Sequence, residues 1–147
     1  MPHYTITLEI ARPLPDMFAY FTRPRHLLQF TPPELNLELL SAPDILAMGA
    51  QMVWKGRRWG VSQQITQEVS GFQSEKLIVV QQKKGPFGQW IQAHHFESTD
   101  GGTRIVEKID YSAPGGLLGL ALTADKIRKD LDAISIYRAA KLRELFV

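Results

Sequence analysis

Hydrophobic and polar residues alternate along most of this chain, and the alternation gives way only near its end. Tyr4, Ile6, Leu8 and Ile10 fall on one side of an extended segment, with Thr5, Thr7 and Glu9 on the other, which predicts a strand. Pro13 and Pro15 stop it. Pro15 and Asp16 then open a short helix, Asp16 to Phe21, carrying Met17, Phe18, Tyr20 and Phe21. A second short helix spans Thr22 to Phe30, with Pro24 near its start and Pro32-Pro33 at its end. Leu35, Leu37 and Leu39 mark one face of a strand over Leu35 to Leu40. Gln51 to Lys55 and Val61 to Val69 read as a hairpin about Gly56 and Gly60. Turn signals at Gly71 and Ser74, at Gly85 to Gly88, and at Asp100-Gly101-Gly102 divide the strands Leu77–Gln82, Gln89–Glu97 and Thr103–Tyr111. From Thr123 to Phe146 the spacing becomes helical, with Ile127, Leu131, Ile134, Leu142 and Leu145 near one face.

The predicted order is strand, two short helices, six strands, long helix. That is an α+β chain with a curved antiparallel sheet of six to seven strands, read as a single domain over residues 1–147. The final helix must bury its apolar face, and the concave side of the sheet is the surface available to it. A sheet gripping one long helix leaves a cavity between them, and cavities of this kind hold small molecules.

Composition narrows the picture only slightly. In 147 residues, 44% are apolar and the net charge is +2, too small to argue for nucleic acid. The clusters Lys55-Gly56-Arg57-Arg58 and Lys83-Lys84 fall in expected turns and read as solvated loops. The chain holds no cysteine, which removes disulfides, thiol nucleophiles and Cys-based metal sites. Its start lacks the basic and apolar blocks of a signal peptide, and no apolar run approaches a membrane span. A cytoplasmic location without integral membrane association is therefore expected, with transient membrane contact left open and the oligomeric state unset.

Candidate chemistry follows from the strand faces. Trp90, Gln92, His94 and Phe96 share one face of their strand, and the large aromatics put that face inside. On the next strand Arg104, Val106, Lys108 and Asp110 make the wetter face, so Thr103, Ile105, Glu107, Ile109 and Tyr111 point inward. Met52 and Trp54, Gln63 and Ile65, and Ile78, Val80 and Gln82 are expected to complete the wall, with Ile127, Leu131 and Ile134 from the helix. The result is a polar constellation of His94, Glu107 and Tyr111, with Gln63, Gln82 and Gln92, in an apolar groove. A buried carboxylate is costly unless paired, and an imidazole offsets that cost. Such a pair can be structural, can orient a ligand, or can serve as general acid and base.

Other chemistry finds little support. His94 and His95 are adjacent on a strand, so their rings point to opposite faces and cannot chelate one metal; no metal site is expected. Nucleophile-elbow, phosphate-loop and dinucleotide motifs are missing, and no cofactor is expected. Gly115-Gly116-Leu117-Leu118-Gly119 reads either as a flexible rim that forms an apolar gate with Leu120, or as a plain connection to a helix starting at Thr123.

Several segments together resemble the START-like superfamily of polyketide cyclase/dehydrase and lipid-transfer relatives, within it the bacterial ligand-binding group. They are Pro15 to Phe21, Leu28 to Pro33, Gly85-Pro86-Phe87 with Trp90 and His94-x-Phe96, Asp100 to Thr103, and Tyr137-Arg138. The resemblance spans nearly the whole chain and implies a helix-grip fold. It also implies a small hydrophobic or amphipathic ligand such as a lipid, quinone or polyketide, carried or sequestered. The alternatives it implies are a cyclase or dehydrase using His94 and Glu107 as acid and base, and a protein-interaction module. Relatives often carry a histidine two residues before the one matching His94; here Gln92 stands there.

Overall fold

The computed structural model describes residues 2–58 and 61–146, so the expected turn at Gly60 lies outside the described residues. Seven antiparallel strands form one sheet: β1 (His3–Ile10), β2 (Glu38–Ser41), β3 (Gln51–Arg58), β4 (Val61–Gln73), β5 (Leu77–Lys84), β6 (Gln89–Thr99) and β7 (Gly102–Ser112). Their spatial order is β1-β7-β6-β5-β4-β3-β2. Six strands run as a meander, and β1 pairs beside β7 in a register that sets Ile6 opposite Glu107. Helix α1 (Leu14–Phe21) and two 3-10 helices, Pro24–Phe30 and Pro33–Leu35, follow β1. A short helix α2 (Gly116–Ala121) and the long α3 (Ala124–Leu145) end the chain. Among the described residues, no helix is long and apolar enough to cross a membrane.

Local departures from the sequence pattern have physical causes. The strand expected from Leu35 starts only at Glu38, because Pro33–Leu35 turns as a 3-10 helix and Asn36 follows in the left-handed region at φ 46°. Gly71 lies inside β4 instead of ending it. The register shifts between Val69 and Gly71, and a Cβ there would come within 2.9 Å of Val79 Cγ2. This is a bulge that bends the strand, with glycine where two backbones approach. Thr123 caps α3 by accepting a hydrogen bond from the Lys126 amide at 3.3 Å. Leu145 belongs to the helix but is exposed, since the buried stripe is Ile127, Leu131, Ser135, Arg138 and Leu142. The rim segment is helical, with Leu117 and Leu120 turned to solvent and off the cavity wall.

Two apolar cores anchor the ends of α3. Leu142 joins Leu8, Met17, Phe18, Phe96 and Ile105 in one. Ile127 and Leu131 join Tyr4, Phe87, Ile109, Tyr111 and Leu122 in the other. Between them, the middle of α3 stands over the sheet without filling the space beneath.

Candidate functional site

That space is a cavity of about 250 Å³. Leu131, Ile134 and Arg138 of α3 cover it, and Met52, Trp54, Gln63, Ile65, Ile78, Val80, Trp90, Gln92, His94 and Ile109 face it from five strands. Tyr20, Phe21, Leu27 and Phe30 close one side from α1 and the first 3-10 helix. The alternation along each strand produces this wall: residues two apart share a face, and curvature brings those faces toward one helix. Trp54, Ile65, Val80, Trp90, Gln92 and His94 thus stand where the sequence pattern puts them.

Four expected wall residues do not reach the cavity. Gln82 folds over the β5–β6 turn, donating from Nε2 to the Phe87 carbonyl at 2.8 Å. Gly85 makes room for it, since a Cβ there would collide with the Gln82 amide oxygen. Tyr111 and Ile127 are sealed into the second core, where the Tyr111 hydroxyl donates to the Ala124 carbonyl at 3.3 Å. Strand periodicity gives the side of the sheet and cannot tell a packed end from an open middle. Glu107 is the fourth: it is 1% exposed and sits behind the wall.

Glu107 nevertheless organises the polar edge of the cavity. Its Oε1 accepts from Gln92 Nε2 at 2.8 Å and from an Arg138 guanidinium nitrogen at 2.9 Å. His94 Nε2 meets the same oxygen at 2.8 Å. His94 and Glu107 are direct cross-strand partners in the β6–β7 register, and Gln92 is two residues along the same face. Trp90 extends the chain by donating from Nε1 to Gln92 Oε1 at 3.4 Å. Burial pushes the Glu107 carboxyl upward. The charges of Arg138 and His94, with their hydrogen bonds, outweigh this and hold it well below the usual carboxylate range. An ionised carboxylate only accepts, so His94 presents Nε2–H to it and leaves Nδ1 as the nitrogen free for a ligand.

Arg138 is the member that residue spacing alone did not identify. It falls seven residues after Leu131 and four before Leu142, so it occupies the apolar stripe of α3. A charged residue inside such a stripe is a signal in itself. Phe30 supports the guanidinium, whose central carbon lies 5.1 Å from the ring centroid.

The ion pair has a pH consequence. The folded Glu107 pKa lies below its ordinary value of 4.5, so the stability it contributes is present above pH 4.5 and is lost as pH falls toward the folded value. Thermal unfolding followed by circular dichroism should show the midpoint dropping below about pH 4.5. In Glu107→Gln this acid limb should be shallower, starting from a lower plateau.

The profile of the family described as polyketide cyclase/dehydrase and lipid transport matches residues 10–133. No curated protein matches the sequence. Among solved structures, the Zhui aromatase/cyclase from Streptomyces sp. R1128 superposes with a TM-score of 0.75 at 15% identity, covering 97% of this chain and 92% of that one. A Thermus thermophilus protein gives 0.73 at 17% identity, covering 97% and 95%. Ginseng major latex-like protein 151 from Panax ginseng gives 0.65 at 15% identity, covering 95% of each chain. At these identities the likeness is one of fold.

Proposed function

The chain belongs to the polyketide cyclase/dehydrase and lipid transport family, and from that premise we propose that it binds a small hydrophobic or amphipathic molecule between the sheet and α3. The cavity itself carries this reading: a largely apolar chamber of about 250 Å³ with the Gln92, His94 and Arg138 network about Glu107 at one edge. Such a site removes a ligand's apolar body from water and fixes its polar group by a few hydrogen bonds. His94 Nδ1 and the Arg138 guanidinium are the groups that would receive that polar end. A packed interior, which a pure protein-interaction module would have, is not what surrounds these residues.

A second reading rests on the His94–Glu107 contact. In it His94 carries a proton to or from a ligand oxygen or carbon through Nδ1. Glu107 is held ionised and away from the cavity, so it is a positioning residue and takes no proton itself. That alters the acid and base pair expected from the sequence, leaving His94 as the proton carrier.

Native mass spectrometry of protein purified from its own host, followed by organic extraction, tests the first reading. A stoichiometric small-molecule adduct that yields a lipid, quinone or polyketide on extraction is expected. An apo mass, with no such molecule taken up from host extract, overturns it. His94→Ala separates the readings: product formation from the extracted compound should stop under the catalytic reading while binding persists.

A further inference from the structure

The wall opposite the charged edge carries its own unpaired hydrogen-bonding groups. Trp54 is 4% exposed, lines the cavity, and its Nε1 is buried without a partner. Gln63 also lines the cavity, and its Nε2 is likewise buried and unpaired. In the β3–β4 register Trp54 faces Ile65 and Gly56 faces Gln63, so Trp54 and Gln63 are diagonal neighbours on the inner face. Gly56, opposite Gln63, lets Leu35 and Leu37 pack close over the strand: a Cβ there would lie 3.4 Å from the Leu35 carbonyl oxygen and 3.5 Å from Leu37 Cδ1.

An unpaired buried N–H costs free energy comparable to a lost hydrogen bond, so two on one cavity wall call for an explanation. The charged edge does not supply it. The β5 strand separates β4 from β6, and the register sets Gln63 well along β4 from Phe72, which shares a row with Ile78 and His94, so the two sets of groups stand apart on the sheet. Among the described residues, the unpaired buried side-chain atoms on the cavity wall are all donors: Trp54 Nε1, Gln63 Nε2 and Arg138 Nε. The β3 and β4 wall residues (Met52, Trp54, Gly56, Gln63, Ile65 and Gln67) include no charged side chain. An anionic oxygen there would find no counter-charge on these two strands, the lining cations Arg23 and Arg138 coming from the segment before the first 3-10 helix and from α3. A hydroxyl can accept from these groups, but its own proton would then need an acceptor, and none of the unpaired buried atoms on the wall is one. A neutral carbonyl oxygen, with two lone pairs and no proton, fits both conditions.

We infer that Trp54 and Gln63 form a carbonyl-reading subsite, so that the molecule in this cavity is a ketone- or quinone-type compound whose oxygen is received away from the His94–Arg138 edge. This rests on the cavity-binding reading and narrows its ligand class.

The test compares 9-fluorenone with fluorene, which have the same tricyclic frame with and without a carbonyl. Binding is measured by calorimetry on the full chain, and the indole Nε1–H signals are followed by ¹H–¹⁵N correlation spectroscopy. Fluorenone should bind about tenfold more tightly than fluorene. It alone should move the Trp54 indole proton downfield, with that signal assigned from Trp54→Phe. Trp54→Phe and Gln63→Leu should each reduce the preference, and the double variant should bring the two compounds to parity. Gln63→Leu and the wild-type spectra keep the question decidable if Trp54→Phe folds poorly. Equal binding of both compounds by the wild type overturns the subsite while leaving the cavity reading intact. So does a preference that survives in the double variant and disappears in His94→Ala. Failure of both compounds to bind overturns the subsite and the cavity reading together.

Discussion

Replacing Glu107 by leucine is expected to destabilise the protein by about 3–5 kcal/mol, the cost of leaving a buried cation without its counter-charge. Three donors from β6 and α3 converge on Glu107 Oε1, and Arg138 is 9% exposed, so water cannot replace the lost carboxylate. The second carboxylate oxygen is buried and unpaired, so the group offsets its burial through one oxygen only. The same logic predicts a rescue. In Glu107→Leu/Arg138→Met both charges are gone and the volume is retained, so most of the lost stability should return. Denaturant titrations of the wild type, both single variants and the double variant close the cycle. Strictly additive losses would show that the carboxylate and guanidinium are not coupled.

A comparably large effect, on binding instead of stability, is expected from Ile134→Trp. Ile134 projects from the middle of α3 into the cavity and belongs to neither core. The indole can enter existing space, so the change in stability should stay within about 1.5 kcal/mol. The ligand would lose that space, and affinity for fluorenone or for the native occupant should fall about a hundredfold or more. Leu131→Trp is the contrasting case, because Leu131 also packs into the second core and the larger ring would strain it. Undiminished binding by Ile134→Trp would place the ligand somewhere other than this cavity.

Much of this arrangement could be read from residue order. Period-two alternation put His94 and Glu107 on the inner faces of neighbouring strands, while their direct pairing comes from the β6–β7 register. The proline and glycine breaks located the short helices and most turns. The shorter β2 and the bulge at Gly71 depend on how neighbouring strands bend, which single-strand periodicity does not encode. Gln82, Tyr111 and Ile127 show the same limit from the other direction. Each lies on the expected face, yet one is drawn into a turn and two are consumed by packing. Arg138 was recognisable as a family marker, but its partner lies 31 residues away and only the tertiary structure joins them.

Fastening α3 at both ends by separate cores leaves Ile134, on its central turns, outside both of them. Selection can therefore rewrite Ile65 or Ile134 for size and polarity while Ile127 and Leu142 keep the helix seated. Part of the recognition surface thus lies outside the folding cores, so this scaffold can acquire a new ligand by small steps at those positions without passing through an unfolded ancestor.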